Sequence, residues 1–177
     1  MTKVLHLLRH AKAELGRTDG EDHTRALAAR GRKAIKHMGE AIKIADLKVG
    51  RVFCSTARRT RETFDALRHD LGNPPVSYRD RLYMAACDDL MRFIQGLPDD
   101  TDAAMIVGHN PGLHDVALTV TGRAGRGQAK GLNRLRTKFP TGALCTLTFD
   151  VPSWKKVDAG LGELTRFLRP RDLEEKT

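Results

Sequence analysis

The chain has 177 residues, 40% hydrophobic and 30% charged, which is enough for one domain (1–177) with a real core and excludes a disordered or fibrous class. No apolar run approaches the ~20 residues of a membrane helix, and the N-terminus enters a strand without a signal-peptide core. The net charge of +9 favours acidic partners such as phosphates, nucleic acid or acidic protein surfaces, without choosing among them.

Strand and helix patterns alternate along the chain, which argues an α/β fold. Lys3 to Leu8 reads as a buried strand, followed by a long polar loop from Arg9 to Arg25. A helix from about Ala28 to Ala45 carries Ile35, Met38 and Ile42 at helical spacing. Arg51 to Cys54 is a short strand, and Ser55-Thr56 reads as the N-cap of the next helix, which Gly72-Asn73-Pro74-Pro75 ends. Val76 to Tyr78 is a short strand and Asp88 to Gln95 a small helix. The strand Ala103 to Val107 leads through Gly108-His109-Asn110-Pro111 into a helix whose inner face is Leu113, Val116, Ala117 and Val120. Gly122 to Lys138 holds four glycines, six Lys or Arg and no acid. It reads as a mobile solvated loop, or as a positive rim for a phosphorylated partner. Gly142 to Asp150 is a strand, with Trp154 to Val157 as its partner and Leu164 to Leu168 as another. Glu174 to Thr177 is a frayed end.

The chemistry gathers where strands end. His10 follows the first strand, Ser55 and Arg59 the second, and His109 the strand ending at Val107. In an open α/β sheet such strand ends line one crevice, where helix N-termini and arginine forks suit a phosphate. A site follows. Arg9 and Arg59 clamp the phosphoryl oxygens, His109 adds a donor, and His10 offers a ring nitrogen to phosphorus. The cations around His10 would lower its pKa and keep it unprotonated.

Leu8-Arg9-His10-Ala11 resembles the Arg-His-Gly motif of the histidine phosphatase superfamily, also called phosphoglycerate mutase-like. Arg25-Ala26-Leu27 with Arg30-Gly31, the segment Ser55 to Thr63, Val107 to Pro111 and Phe139 to Ala143 are similar to its further motifs, in the family's order. Within the superfamily the chain resembles the small SixA-type phosphohistidine phosphatases. The resemblance implies a three-layer α/β/α sandwich with a mostly parallel sheet. It also implies catalysis by His10 as nucleophile, with Arg9, Arg59 and His109 as the phosphate pocket. Arg25 is a second-tier pocket member, and Asn110 follows the second histidine into the same pocket. Arg58 is the register alternative to Arg59, and the family spacing from Ser55 favours Arg59. Ala11 and Ala26 depart from the family's glycine and proline. Larger relatives supply a glutamate acid from an insertion, whereas the stretch Arg79 to Gly96 is short and Glu-free. Asp80, Asp88 and Asp89 are the substitutes there, although solvated or capping roles suit each better. Without an acid an ester's leaving group is disfavoured. A phosphohistidine leaves as an imidazole, which takes its proton from water.

The expected activity is therefore a metal-independent phosphohistidine phosphatase without cofactor, its partner a phosphohistidine-bearing protein. The alternatives are a phosphatase of small phosphorylated metabolites and, from another class, a basic nucleic-acid-binding module. The last is disfavoured because the chain has one Trp and two Tyr, too few for a stacking platform. No His, Cys and Asp grouping has metal-ligand spacing. Ser55 reads as a cap rather than a catalyst. His6 reads as a hydrogen-bonded strand residue, and His23, His37, His69 and His114 as surface or structural. Cys54 lacks the arginine spacing of a cysteine phosphatase and reads as a buried thiol. Three scattered cysteines argue against a disulfide framework, and a monomer in the reducing cytoplasm is the expectation.

Overall fold

The computed structural model describes residues 1–16 and 21–174. Residues 17–20 of the polar loop, and the expected frayed tail after Glu174, lie outside the described residues. Seven strands form one sheet: β1 (Thr2–Arg9), β2 (Arg51–Ser55), β3 (Val76–Arg79), β4 (Ala103–Gly108), β5 (Thr121–Ala124), β6 (Leu144–Asp150) and β7 (Gly162–Leu168). Their order is β3-β2-β4-β1-β6-β7-β5. Pairing is parallel from β3 to β1 and between β5 and β7, and antiparallel on both sides of β6.

Side-chain alternation along the central strands divides the core in two. Leu5 and Leu7 of β1 join Ala104 and Ile106 of β4 on one face. There they meet Phe93 and Ile94 of α3 (Cys87–Gln95) and Leu113 and Val116 of α4 (Gly112–Val120). Leu8, Met105 and Val107 point to the opposite face. They meet Ile35, Met38 and Ile42 of α1 (Ala29–Ile44), and Phe64 and Leu67 of α2 (Arg58–Leu67). This is the three-layer sandwich. Apolar residues on both faces explain why these strands read as continuous hydrophobic runs.

The basic stretch from Gly122 to Lys138 is not a loop. Its start is β5, paired with β7, and its end is α5 (Ala129–Thr137), which buries Leu135. Glycine permits the strand: a Cβ on Gly122 would meet Gly160 O at 1.9 Å. The same glycines hid a helix that buries only Gly131 and Leu135. Trp154 to Val157 is likewise no partner strand, since β6 pairs directly with β7. Trp154–Lys156 is a 3-10 turn, held where the indole Nε1 donates to Thr101 O at 2.7 Å. A last short helix, α6 (Pro170–Glu174), packs against α1.

Candidate active site

The register of β1 against β4 builds the site. Leu8 pairs with Val107 and Arg9 with Gly108, and His10 N donates to Gly108 O at 3.2 Å. The two histidines that follow these strands thus become neighbours, their ring centroids 5.3 Å apart. Arg59 reaches the same point from the first turn of α2, one strand away. A cavity of about 230 Å³ opens there, lined by Arg9, His10, Arg25, Arg59, His109 and Asn110, with Lys12, Asp22, Met84 and Thr141 at its walls. All six predicted site residues meet in one pocket. Arg58 does not: it points outward and pairs with Glu62 at 2.7 Å.

His10 is 8% exposed. Its Nδ1 donates to Ala11 O at 2.8 Å, so the proton sits on Nδ1 and the Nε2 lone pair stays open. Burial, followed by the charges of Arg59, Arg9 and Arg25, outweighs the Ala11 hydrogen bond and lowers its pKa to about 4. The imidazole is neutral at physiological pH, as a nucleophile must be.

His109 is fixed at both nitrogens. Arg59 Nη2 donates to Nδ1 at 3.2 Å, and Nε2 donates to Ser55 Oγ at 2.8 Å. Burial and the neighbouring His10, Arg59 and Arg9 lower its pKa to about 3. Ser55 therefore does not cap α2. Ala57 occupies the cap position without a side-chain bond, and the fully buried Ser55 hydroxyl orients the second histidine.

Arg59 is almost wholly buried. Its Nη1 donates to Asp22 O at 2.8 Å and its Nη2 to Asp22 Oδ2 at 3.0 Å. Arg9 Nη1 and Asn110 Nδ2 both donate to Phe139 O, at 2.9 and 3.0 Å. Arg9 Nε, Arg59 Nε and Asn110 Oδ1 are buried without a partner among the described residues. Burial and the Arg59 charge lower the Arg9 pKa. Like charges held this close need a counter-ion, and an anion in the pocket would supply it.

Sequence reasoning missed Asp22. Tyr83 donates to its Oδ2 at 2.6 Å and Arg25 Nε to its Oδ1 at 2.9 Å. The Tyr83 hydrogen bond, with those of Arg25 and Arg59 and the Arg59 charge, holds the Asp22 carboxyl well below the usual range. It is the only acid among the described lining residues, facing Arg9, Lys12, Arg25 and Arg59. The signal available was an acid three residues before Arg25 in a polar loop. Asp80, Asp88 and Asp89 do not line the pocket. Asp80 accepts from Thr56 and Asp89 pairs with Arg92.

The remaining candidates lie elsewhere. His6 bonds Thr146 and Lys48 O within the sheet, and His114 bonds Leu135 O. Cys54 is fully buried, which pushes its thiol up to about 12. Gly112 opens α4 where a Cβ would meet Ala85 O at 1.9 Å. That approach brings the segment carrying Tyr83 and Met84 against the second-histidine loop.

Residues 5–87 match the model of the histidine phosphatase superfamily, branch 1. An uncharacterised protein of Mycobacterium leprae is 34% identical over 167 residues, covering 93% of this chain and all of that protein. One from Mycobacterium tuberculosis is 33% identical over 165 residues, with the same coverage of both chains. Among solved structures, a candidate phosphohistidine phosphatase SixA of Nakamurella multipartitia superposes with a TM-score of 0.78 at 26% identity. It covers 96% of this chain and 97% of its own. A second candidate SixA, from Agrobacterium tumefaciens, has a TM-score of 0.77 at 24% identity, covering 95% and 98%. The family match spans the β1 and β2 strand ends that carry His10 and Arg59, the structural match runs nearly end to end, and the chain belongs to the histidine phosphatase superfamily.

Proposed function

We propose that the protein is a phosphohistidine phosphatase that works through a covalent intermediate on His10 and needs no metal. The observation that carries this reading is the placement of His10: buried, its Nδ1 donating to Ala11 O, with its Nε2 lone pair free in the pocket beside Arg9 and Arg59. Nε2 attacks phosphorus, the P–N bond to the substrate imidazole breaks, and the leaving imidazole takes a proton from water. Water then attacks the phosphoryl on His10, releasing phosphate and restoring the free ring. Arg9 and Arg59 bind the equatorial oxygens, on which the transition-state charge spreads, and His109, held between Arg59 and Ser55, orients Arg59 rather than supplying the expected donor. Arg25 and Asn110 complete the rim.

The choice of a P–N substrate is supported by the acid inventory. Asp22, bonded to Tyr83, Arg25 and Arg59, is held ionised and has no proton to give an alkoxide. The test is turnover in the presence of a chelator, comparing a phosphohistidine carrier protein, an aryl phosphate and several sugar phosphates. The expected result is turnover of the phosphohistidine above the others, and loss of about a thousandfold or more in His10→Ala. Full activity in that variant overturns the mechanism. A preference for sugar phosphates makes the protein a metabolite phosphatase instead.

A further inference from the structure

A second cleft, of about 280 Å³, lies beside the candidate active site and shares Lys12 and Thr141 with it. Its cations are Lys12 from the loop after β1, Arg30 from the first turn of α1, and Arg171 from α6. No acid lines it among the described residues, and its floor is Ala34, Pro140 and Pro170.

These cations differ from their neighbours. Arg32 and Arg58 share Glu62, and Arg134 and Arg169 share Asp172. Lys12, Arg30 and Arg171 are exposed, and none forms an ion pair among the described residues. The cleft is also firmly built. Ala28 N donates to Lys12 O at 2.9 Å, and a Cβ on Gly31 would meet that same oxygen at 2.1 Å. The loop holding Lys12 is thus locked to the helix end holding Arg30. Three exposed cations lining one cleft, none in an ion pair among the described residues and with no carboxylate among the described lining, are complementary to a surface bearing carboxylates.

We infer that this cleft docks an acidic protein surface next to the phosphohistidine, so that the enzyme selects phosphohistidines flanked by Asp or Glu on the substrate protein. The inference rests on the phosphohistidine reading above. A metabolite with a second phosphate fits it less well. The cleft stands outside the catalytic cavity, its cations come from separate elements, and its floor would leave apolar contact unused by a small sugar phosphate.

The test uses two matched phosphohistidine peptides, one flanked by acidic residues and one by neutral residues, with wild type and the double variant Arg30→Glu, Arg171→Glu. Neither substituted residue lines the catalytic cavity. Wild type is expected to favour the acidic peptide, with a preference that shrinks as salt rises. The double variant should lower kcat/KM on the acidic peptide roughly tenfold, mostly through KM, and leave the neutral peptide within about twofold. Equal loss on both peptides, or no loss on either, overturns the inference. A matched pair of phosphotyrosine peptides separates the two readings. If only these are turned over, the phosphohistidine reading fails, and the acidic-to-neutral ratio still decides the cleft. If nothing is turned over, binding of the phosphohistidine pair to His10→Ala, read by fluorescence anisotropy, decides it in the same way.

Discussion

Replacing Asp22 by asparagine should tighten the pocket's hold on a phosphate-like anion about fivefold. The Asp22 carboxylate engages Arg59 Nη2 at 3.0 Å and Arg25 Nε at 2.9 Å. Those are guanidinium groups a phosphoryl group would use. An entering dianion must sit roughly one guanidinium, ~5 Å, from that negative charge. At this spacing and near-water dielectric the repulsion is about 1–2 kcal/mol, which salt reduces to about 1 kcal/mol. Asparagine preserves shape and a carbonyl acceptor. Arg59 also keeps its bonds to Asp22 O and to His109, so the clamp should survive the change. The assay is the Kd of sulfate, which stays a dianion under both conditions, by calorimetry, for wild type and Asp22→Asn, at about pH 5 and about pH 8. Because Tyr83, Arg25 and Arg59 hold the carboxyl well below its usual range, the ratio should be the same at both. Weaker or unchanged binding in the variant would refute the competition and make Asp22 a positioning residue for Arg59. A ratio that vanished near the lower pH would show that the carboxyl protonates there.

Two further outcomes are expected. His6, buried within the sheet, has its pKa lowered to about 4. Its folded-state value lies below its unfolded value near ~6.5, so stability is present above that value and is lost as pH falls toward the folded pKa. The slope is up to ~1.4 kcal/mol per pH unit, and denaturant titrations of His6→Gln should show it smaller by about one proton's worth; an identical slope in wild type and variant contradicts this. Ser55→Ala removes the acceptor for His109 Nε2 and leaves a buried N–H unpaired, at ~1–3 kcal/mol. We expect kcat/KM to fall about tenfold and thermal stability to drop by several degrees; unchanged kinetics would mean His109 needs no fixing.

The parts of this molecule that were legible in its sequence are those with local patterns. Leu5 and Leu7 alternate with His6 and Leu8, and the structure assigns these pairs to opposite faces. His10 and His109 were visible because each directly follows a strand, and Arg59 because it lies in the first turn of the helix after one, where an α/β sheet gathers its functional ends. Asp22 has no such marker. Its meaning comes from Arg59, 37 residues away, and Tyr83, 61 residues away. Ser55 misled because a serine before a helix is also what a cap looks like. Only the β2–β4 pairing shows that its hydroxyl serves His109. The α5 helix was lost among glycines and cations because its buried face is just Gly131 and Leu135.

The central claim is that His10 Nε2 takes the phosphoryl group. The direct test quenches the enzyme in alkali during turnover of a radiolabelled phosphohistidine substrate and maps the label by peptide digestion. Label is expected on the peptide containing His10, at the nitrogen remote from the backbone, stable to base, labile to acid and absent from His10→Ala. Label on another residue, label surviving in His10→Ala, or turnover with no trapped phosphoryl enzyme would contradict it.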